Sequence, residues 1–277
     1  MLDQPSTSVH PNKSIRKRMD DAAALIGNGE TEKAKPLLEE NILAGCTDSM
    51  VLLGTVLSNG TEDERARSIA LFREAAELGN SSGMRNLAYC YAIGLNVEKN
   101  KKKGAELYTK AAEMGNARAA CNIGVMLDYG NGVEQNFEEA FLWYLRSAQG
   151  GCTRGMTNLG EYYLWGKGTE KNIHKAEEWF IRSASPRAFY RLSEIYLDAP
   201  GFIDVKKGRE CLIHSAELGY SRAMFKYGTI LETENKDKAV DFYNQAAMKG
   251  NQDAATRLEA LGLPVPEPSL KRKKKKD

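Results

Sequence analysis

The sequence is poor in the residues on which catalytic and metal sites depend. Its 277 residues include three histidines, His10, His174 and His214, which lie in different stretches of the chain. An acid–base or metal site needs several such groups within hydrogen-bond or ligand distance of one another. We therefore predict no catalytic residue, no metal and no cofactor, and we expect no small-molecule substrate.

Cysteine usage and hydropathy give no sign of a secreted or membrane protein. The five cysteines are an odd number without a CxxC pair, and three of them lie in apolar stripes, where cysteine behaves as a small apolar residue. The first 20 residues are polar, and no stretch approaches the ~18 apolar residues of a membrane span. We expect a reducing compartment, no membrane span, and a cytoplasmic or nuclear location.

The small net charge of +2 hides a strongly basic C-terminal segment. Residues 271–277 hold six basic residues and one aspartate, a local charge of +5, so residues 1–270 sum to −3. The run is typical of a nuclear-import signal, but it also suits a nucleic-acid or acidic-lipid patch, or a solubilising tail. Its end fits a dilysine retrieval pattern, which needs a membrane anchor. The candidate import residues are Lys271, Arg272, Lys273, Lys274, Lys275 and Lys276.

What the sequence does contain is a repeated unit, clearest in residues 117–151. Its first segment has apolar residues at 119, 120, 123 and 127, and its second has them at 137, 140, 141, 144, 145 and 148. Both spacings are helical. The glycine pairs between such segments, as in 130–133, lack the order of a phosphate-binding loop. We predict two amphipathic helices joined by a glycine turn, and no phosphate site.

The unit recurs along the chain in three registers. One small residue recurs in each first helix, at spacings of 33–36, and small pairs recur late in each second helix. Small residues let two helices approach to the lower end of the usual ~8–10 Å. Glycines then close each unit, in the position suited to a left-handed residue after a helix. The small residues are Gly54, Ala88, Gly124, Gly160, Ser193 and Gly228, and the closing glycines are Gly79, Gly115, Gly150, Gly219 and Gly250.

These motifs resemble a known family. The run Leu159-Gly160-Glu161-Tyr162-Tyr163, the turn Gly130-Asn131-Gly132-Val133, the run Glu139-Ala140-Phe141-Leu142-Trp143-Tyr144 and the closing Ala111-Ala112-Glu113-Met114-Gly115 look like Sel-one-like repeats, relatives of the tetratricopeptide repeat. The resemblance covers roughly residues 48–251, with departures at Pro186, at 198–202 and at 232–237. It implies an all-α, right-handed α-solenoid of helix–turn–helix repeats, and a non-catalytic adaptor or scaffold that binds other proteins.

We predict three segments on this basis. Residues 1–19 are expected to be disordered, residues 20–263 to form an α-solenoid of about six repeats with partial end units, and residues 264–277 to form a Pro-rich spacer and a basic disordered tail. Alternatives from other classes are a hydrolase on a helical-repeat scaffold and a binder of nucleic acid or acidic surfaces through the tail.

The candidate binding surface is a polar ladder on the first helices. Basic residues recur six positions before the small residue, and polar residues recur two positions before it, so both lie on one helix face away from the apolar stripe. In tetratricopeptide-like arrays, first helices line the concave side. We predict that this face binds an extended, possibly acidic peptide. The alternative is that each arginine pairs with a nearby carboxylate such as Glu113 or Glu217. The ladder consists of Arg118, Arg154, Arg187, Arg222, Asn86, Asn122, Asn158, Arg191 and Lys226.

Overall fold

A computed structural model describes residues 13–268, and within this range the chain forms fifteen α-helices and no strand. The helices are α1 (Lys13–Gly27), α2 (Thr31–Leu43), α3 (Thr47–Leu57), α4 (Glu62–Glu77), α5 (Ser81–Ile93), α6 (Lys101–Glu113), α7 (Ala117–Tyr129), α8 (Phe137–Gln149), α9 (Thr153–Trp165), α10 (Ile173–Ser183), α11 (Pro186–Asp198), α12 (Val205–Glu217), α13 (Ser221–Leu231), α14 (Lys236–Met248) and α15 (Gln252–Ala260).

The helices form two compact units, unit 1 ending at Gly150 and unit 2 beginning at Gly151. In each unit the helices pack in successive antiparallel pairs, a first helix and a second helix per repeat, from α3 and α4 to α13 and α14. The pair α1 and α2 precedes these repeats, and the single helix α15 follows them. The predicted all-α fold of helix–turn–helix repeats is therefore confirmed, and the 130–133 and 166–169 glycines lie in turns between helices.

The helix α1 starts earlier than the sequence suggested. It begins at Lys13, so residues 13–19 are helical and the predicted boundary at residue 20 lies inside the helix. Its Arg18 donates from Nε to Oδ1 of Asn41 in α2 at 2.6 Å, a polar contact that gives no hydropathy signal. The rest of the predicted N-terminal segment, residues 1–12, lies outside the described residues, as do residues 269–277 with the whole candidate import signal.

In four repeats the small residue of the first helix is a glycine that faces an aromatic ring of the following second helix. A Cβ atom added at the glycine would lie only 2.6–2.8 Å from a ring carbon in four repeats, closer than carbon atoms pack in proteins. Glycine therefore permits the aromatic side chain to fill the space between the two helices. The glycine and ring pairs are Gly54 with Phe72, Gly124 with Tyr144, Gly160 with Phe180, and Gly228 with Tyr243.

Hydrogen bonds fix the geometry of each helix pair. In five repeats the residue before the second helix caps that helix with its side chain and donates its own N–H to a carbonyl near the end of the first helix. Asn100 donates to Tyr91 at 2.8 Å, and Asn172 donates to Tyr163 at 2.8 Å. Buried serines of the small pairs add a second link: Ser147 donates to the carbonyl of Ala117 at 2.6 Å. These hydrogen bonds restrict how the first helix rotates against the second helix in the repeats that have them.

The closing glycines follow the prediction with one exception. Gly79, Gly115, Gly219 and Gly250 have φ values of +81° to +88°, but Gly150 has φ −77° and its neighbour Gly151 takes the left-handed conformation at +82°. The prediction for Gly150 was wrong because this residue is the C-cap itself. A Cβ atom there would lie 2.6 Å from Cβ of Ala117, so glycine is needed at 150 for close packing.

Candidate partner-binding surface

The ladder residues belong to a longer stripe on each first helix. Counted from the small residue, the stripe comprises positions −6, −2, +1 and +5, which lie about 100–160° around the helix from the second-helix contact. We call this surface the first-helix stripe. In unit 2 it contains Arg154, Asn158, Glu161 and Trp165 of α9, Arg187, Arg191, Glu194 and Asp198 of α11, and Arg222, Lys226 and Thr229 of α13. In unit 1 it contains Asp48, Leu52 and Thr55 of α3, Ser82, Asn86, Tyr89 and Ile93 of α5, and Arg118, Asn122, Val125 and Tyr129 of α7.

Glu161 joins the stripes of α9 and α11. Its carboxylate accepts from Nε of Arg191 at 2.9 Å and lies 3.2 Å from Nη2 of Arg187. Arg187 also donates to the Oδ1 atom of Asn158. Asn158 and Glu161 of α9 therefore form one hydrogen-bonded group with two arginines of α11 about 30 residues later, and the Glu161 side chain is only 13% exposed.

Arg191 is the centre of this group. Its Nη1 atom donates to Glu194 at 2.7 Å, and its guanidinium carbon lies 4.8 Å from the centroid of the Trp165 ring. Burial alone would lower the pKa of Arg191, but the hydrogen bonds to Glu194 and Glu161 outweigh burial and raise it. The guanidinium therefore stays charged while it is held on three sides.

The stripe of α13 is connected to α11 through weaker contacts. Lys226 Nζ lies 3.8 Å from Asp198 and 5.9 Å from the centroid of the Tyr190 ring. Tyr190 packs against Tyr220 with ring centroids 5.3 Å apart, and burial, with the nearby Glu194 charge, raises the pKa of Tyr190 to about 12. Arg222 is exposed, and its side chain makes no hydrogen bond or ion pair within residues 13–268.

The stripe of unit 1 has a different character. Tyr89, Ile93 and Tyr129 are 47%, 48% and 70% exposed, so the surface there is largely apolar. Asn86 accepts a hydrogen bond from Arg85 and lines, with Tyr89, a groove of about 230 Å³. Arg118 is exposed and, like Arg222, has no side-chain hydrogen bond or ion pair in the described chain.

The arginines therefore divide into two groups. Arg187 and Arg191 are paired with carboxylates, as the alternative interpretation expected, but with Glu161 and Glu194 of the first helices. Neither Glu113 nor Glu217 forms an ion pair within residues 13–268. The +1 and +5 positions of the stripe were not predicted, although they follow the −2 residue at the helical spacings of three and seven.

His174 and His214 lie on second helices, apart from the first-helix stripe. His174 packs against Phe202 with ring centroids 4.6 Å apart, and His214 packs against Phe189 at 4.5 Å. The five cysteines form no disulfide with one another, and burial raises the pKa of the Cys90 thiol to about 11. In the described part of the chain no three His, Cys, Asp or Glu side chains are placed to hold a metal ion, and no helix there is both long enough and apolar enough to span a bilayer.

Comparison with family models identifies the repeats. Five segments match the Sel1 repeat, residues 47–80, 81–116, 117–152, 153–185 and 214–251, which together make up more than half of the chain. The unmatched stretch, 186–213, contains two of the predicted departures, Pro186 and 198–202. The resemblance stated from the sequence is confirmed. Among curated proteins no sequence match is found.

Two solved structures share the fold. The crystal structure of a Sel1 repeat protein from Oxalobacter formigenes is 24% identical, with a TM-score of 0.72, over 85% of this chain and 97% of that one. A protective antigen of uropathogenic Escherichia coli with a Sel-one-like repeat fold is 26% identical, with a TM-score of 0.67, over 89% of this chain. The chain spans 56% of the length of that antigen. These likenesses confirm the α-solenoid fold class.

Proposed function

Because the chain belongs to the Sel1 repeat family, we propose that it is a non-catalytic adaptor that binds an extended, acidic segment of a protein partner on its first-helix stripe. Sel1 repeat proteins generally mediate protein–protein interactions and are generally non-catalytic scaffolds. The finer assignment, to this face and to an acidic ligand, is our own.

The observation that supports the proposal is the placement of arginines that stability does not require. Arg118 and Arg222 occupy the second residue of α7 and α13, where a positive charge opposes the helix dipole. Both are exposed and have no compensating carboxylate among the described residues. Guanidinium groups on such a surface suit carboxylates, which they bind through paired hydrogen bonds.

A peptide-display selection tests the proposal. Random twelve-residue peptides would be selected on the wild-type protein and rescreened on two variants. One carries Glu at the four ladder arginines Arg118, Arg154, Arg187 and Arg222. The control carries Glu at four exposed basic residues of the second helices, Lys102, Lys110, Arg182 and Lys206. Circular dichroism would first establish that all three proteins are folded.

We expect peptides rich in Asp and Glu that bind the wild type and the control equally and lose about tenfold or more in affinity for the ladder variant. Their affinity should also fall with rising salt, since exposed charge pairs are screened. Selected peptides that bind all three proteins equally would overturn the proposal, because the two variants change the net charge by the same amount on different helices.

A further inference from the structure

Trp165 is the one exposed tryptophan, tyrosine or phenylalanine in the described part of unit 2. Its side chain is 54% exposed, and it occupies the last position of the first-helix stripe on α9. Tryptophan exposed to this degree leaves a large apolar area in water. At interfaces, tryptophan, tyrosine and arginine are the residues that most often dominate the binding energy.

The indole of Trp165 is held in place although it is exposed. The Arg191 guanidinium lies over its ring at 4.8 Å, and that guanidinium is fixed by Glu161 and Glu194. The Arg191 side chain is only 14% exposed, so the support under the ring is itself buried. A ring held in this way loses little side-chain entropy on binding, which favours affinity.

Unit 2 contains a second tryptophan and arginine pair that lacks these supports. On α10, the Arg182 guanidinium lies 5.0 Å from the Trp179 ring. Trp179 is half-buried, and Arg182 is exposed and makes no ion pair within residues 13–268. The fixing of the stacked guanidinium by two carboxylates is therefore found at Trp165 and not at Trp179.

A positive charge remains accessible near Trp165, while Asp198, the exposed carboxylate of the α11 stripe, lies 3.8 Å from Nζ of Lys226. Glu161 and Glu194 are engaged by Arg191, whereas the Arg187 side chain is still 36% exposed. Arg187 reaches α9 at Asn158, seven residues before Trp165, and seven residues of helix span about 10 Å. An extended peptide covers the same distance in about three residues.

We propose that Trp165 is the anchor of the ligand site, and that the ligand is an extended segment with a large apolar side chain three residues away from an Asp or Glu. The apolar side chain packs on the exposed part of the Trp165 ring, and the carboxylate pairs with the outer N–H groups of Arg187. This inference rests on the proposed function and specifies which two residues of the ligand the first-helix stripe recognises.

The test uses the peptides selected on the wild-type protein, with fluorescence anisotropy as the readout. The variants are Trp165→Ala, the conservative Trp165→Phe, and the matched control Trp179→Ala. We expect Trp165→Ala to lose about tenfold or more in affinity, Trp165→Phe to keep most of it, and Trp179→Ala to change it by less than about twofold. The selected sequences should show an acidic residue and a large apolar residue three positions apart.

The outcomes separate the two proposals. Acidic peptides that bind the Trp165→Ala variant as well as the wild type, yet fail on the ladder variant, would overturn the anchor and leave the proposed function intact. A pool without the three-residue spacing would also overturn the inference. Peptides that bind the ladder variant as tightly as the wild type would overturn the proposed function itself.

Discussion

Gly160 is the position where one added methyl group tests the packing of a repeat most directly. A Cβ atom there would lie 2.6, 2.8 and 3.1 Å from three ring atoms of Phe180, which is fully buried. Carbon atoms in good contact are ~3.5–4.0 Å apart. The Gly160→Ala variant must therefore displace the ring or separate α9 from α10.

Two opposing effects determine how much Gly160→Ala changes the free energy of unfolding. Overpacking a core by a methyl group costs ~1–3 kcal/mol, whereas alanine favours a helix interior over glycine by ~1 kcal/mol. We expect Gly160→Ala to lower the free energy of unfolding by about 1 kcal/mol net. The control is Gly27→Ala in α1, where an added Cβ has no atom within 4 Å, so that variant should be as stable as the wild type or slightly more so.

Urea denaturation measures both variants, compared only where the denaturant slope is unchanged, since long repeat arrays can unfold in more than one step. A second arm adds Phe180→Leu to Gly160→Ala. Because the smaller side chain relieves the clash, the double variant should be more stable than the sum of the single changes predicts. Stabilisation by Gly160→Ala equal to that by Gly27→Ala would refute the close-packing argument.

Three further predictions concern other parts of the chain. Hydrogen bonds from Arg257 and Tyr243 lower the pKa of Glu232 from 4.5 to about 2, so the stability contributed by the ionised Glu232 is present above pH ~4.5 and is lost as the pH falls towards 2. The difference in melting temperature between the wild type and Glu232→Gln should shrink over that pH range, and a constant difference would contradict this prediction. Ala184 has φ +46°, a conformation that alanine avoids, so Ala184→Gly should raise stability by about 0.5 kcal/mol in urea denaturation, whereas a loss would contradict the strain. If residues 271–276 are an import signal, their replacement by Ala should move a fluorescent fusion of the chain from nucleus to cytoplasm, and an unchanged distribution would exclude that role.

The helices and their packing partners could be predicted from the sequence because each depends on a short, repeated pattern. The apolar spacing of residues 117–149 gives both helices, and a glycine at 124 or 160 signals close approach whatever the ring opposite. The choice between Gly150 and Gly151 could not be predicted this way. Either glycine can take a positive φ, and the contact with Ala117, 33 residues before, decides which one does.

The ion pairs around Arg191 could not be predicted from the sequence, for a related reason. Glu113 and Glu217 lie five residues before Arg118 and Arg222, and this nearness in sequence made them candidates for ion pairs. The pairs that form instead join Glu161 of α9 to Arg187 and Arg191 of α11, about 30 residues away. Helical periodicity places these side chains on one face of their own helices, but only the packing of α11 beside α9 brings the charges into contact.

The paired and unpaired arginines of the first-helix stripe do not support a function equally. A positive charge at the start of a helix is unfavourable, and Arg187 at the second residue of α11 is compensated by Glu161 and Asn158. Its presence therefore has a sufficient structural reason. Arg118 and Arg222 have the same unfavourable position without that compensation among the described residues. A residue that lowers stability and gains no contact in the folded chain is best explained by a contact outside it. An acidic partner is therefore supported chiefly by Arg118 and Arg222, whereas Arg187 keeps exposed N–H groups for a carboxylate and Arg191 holds Trp165.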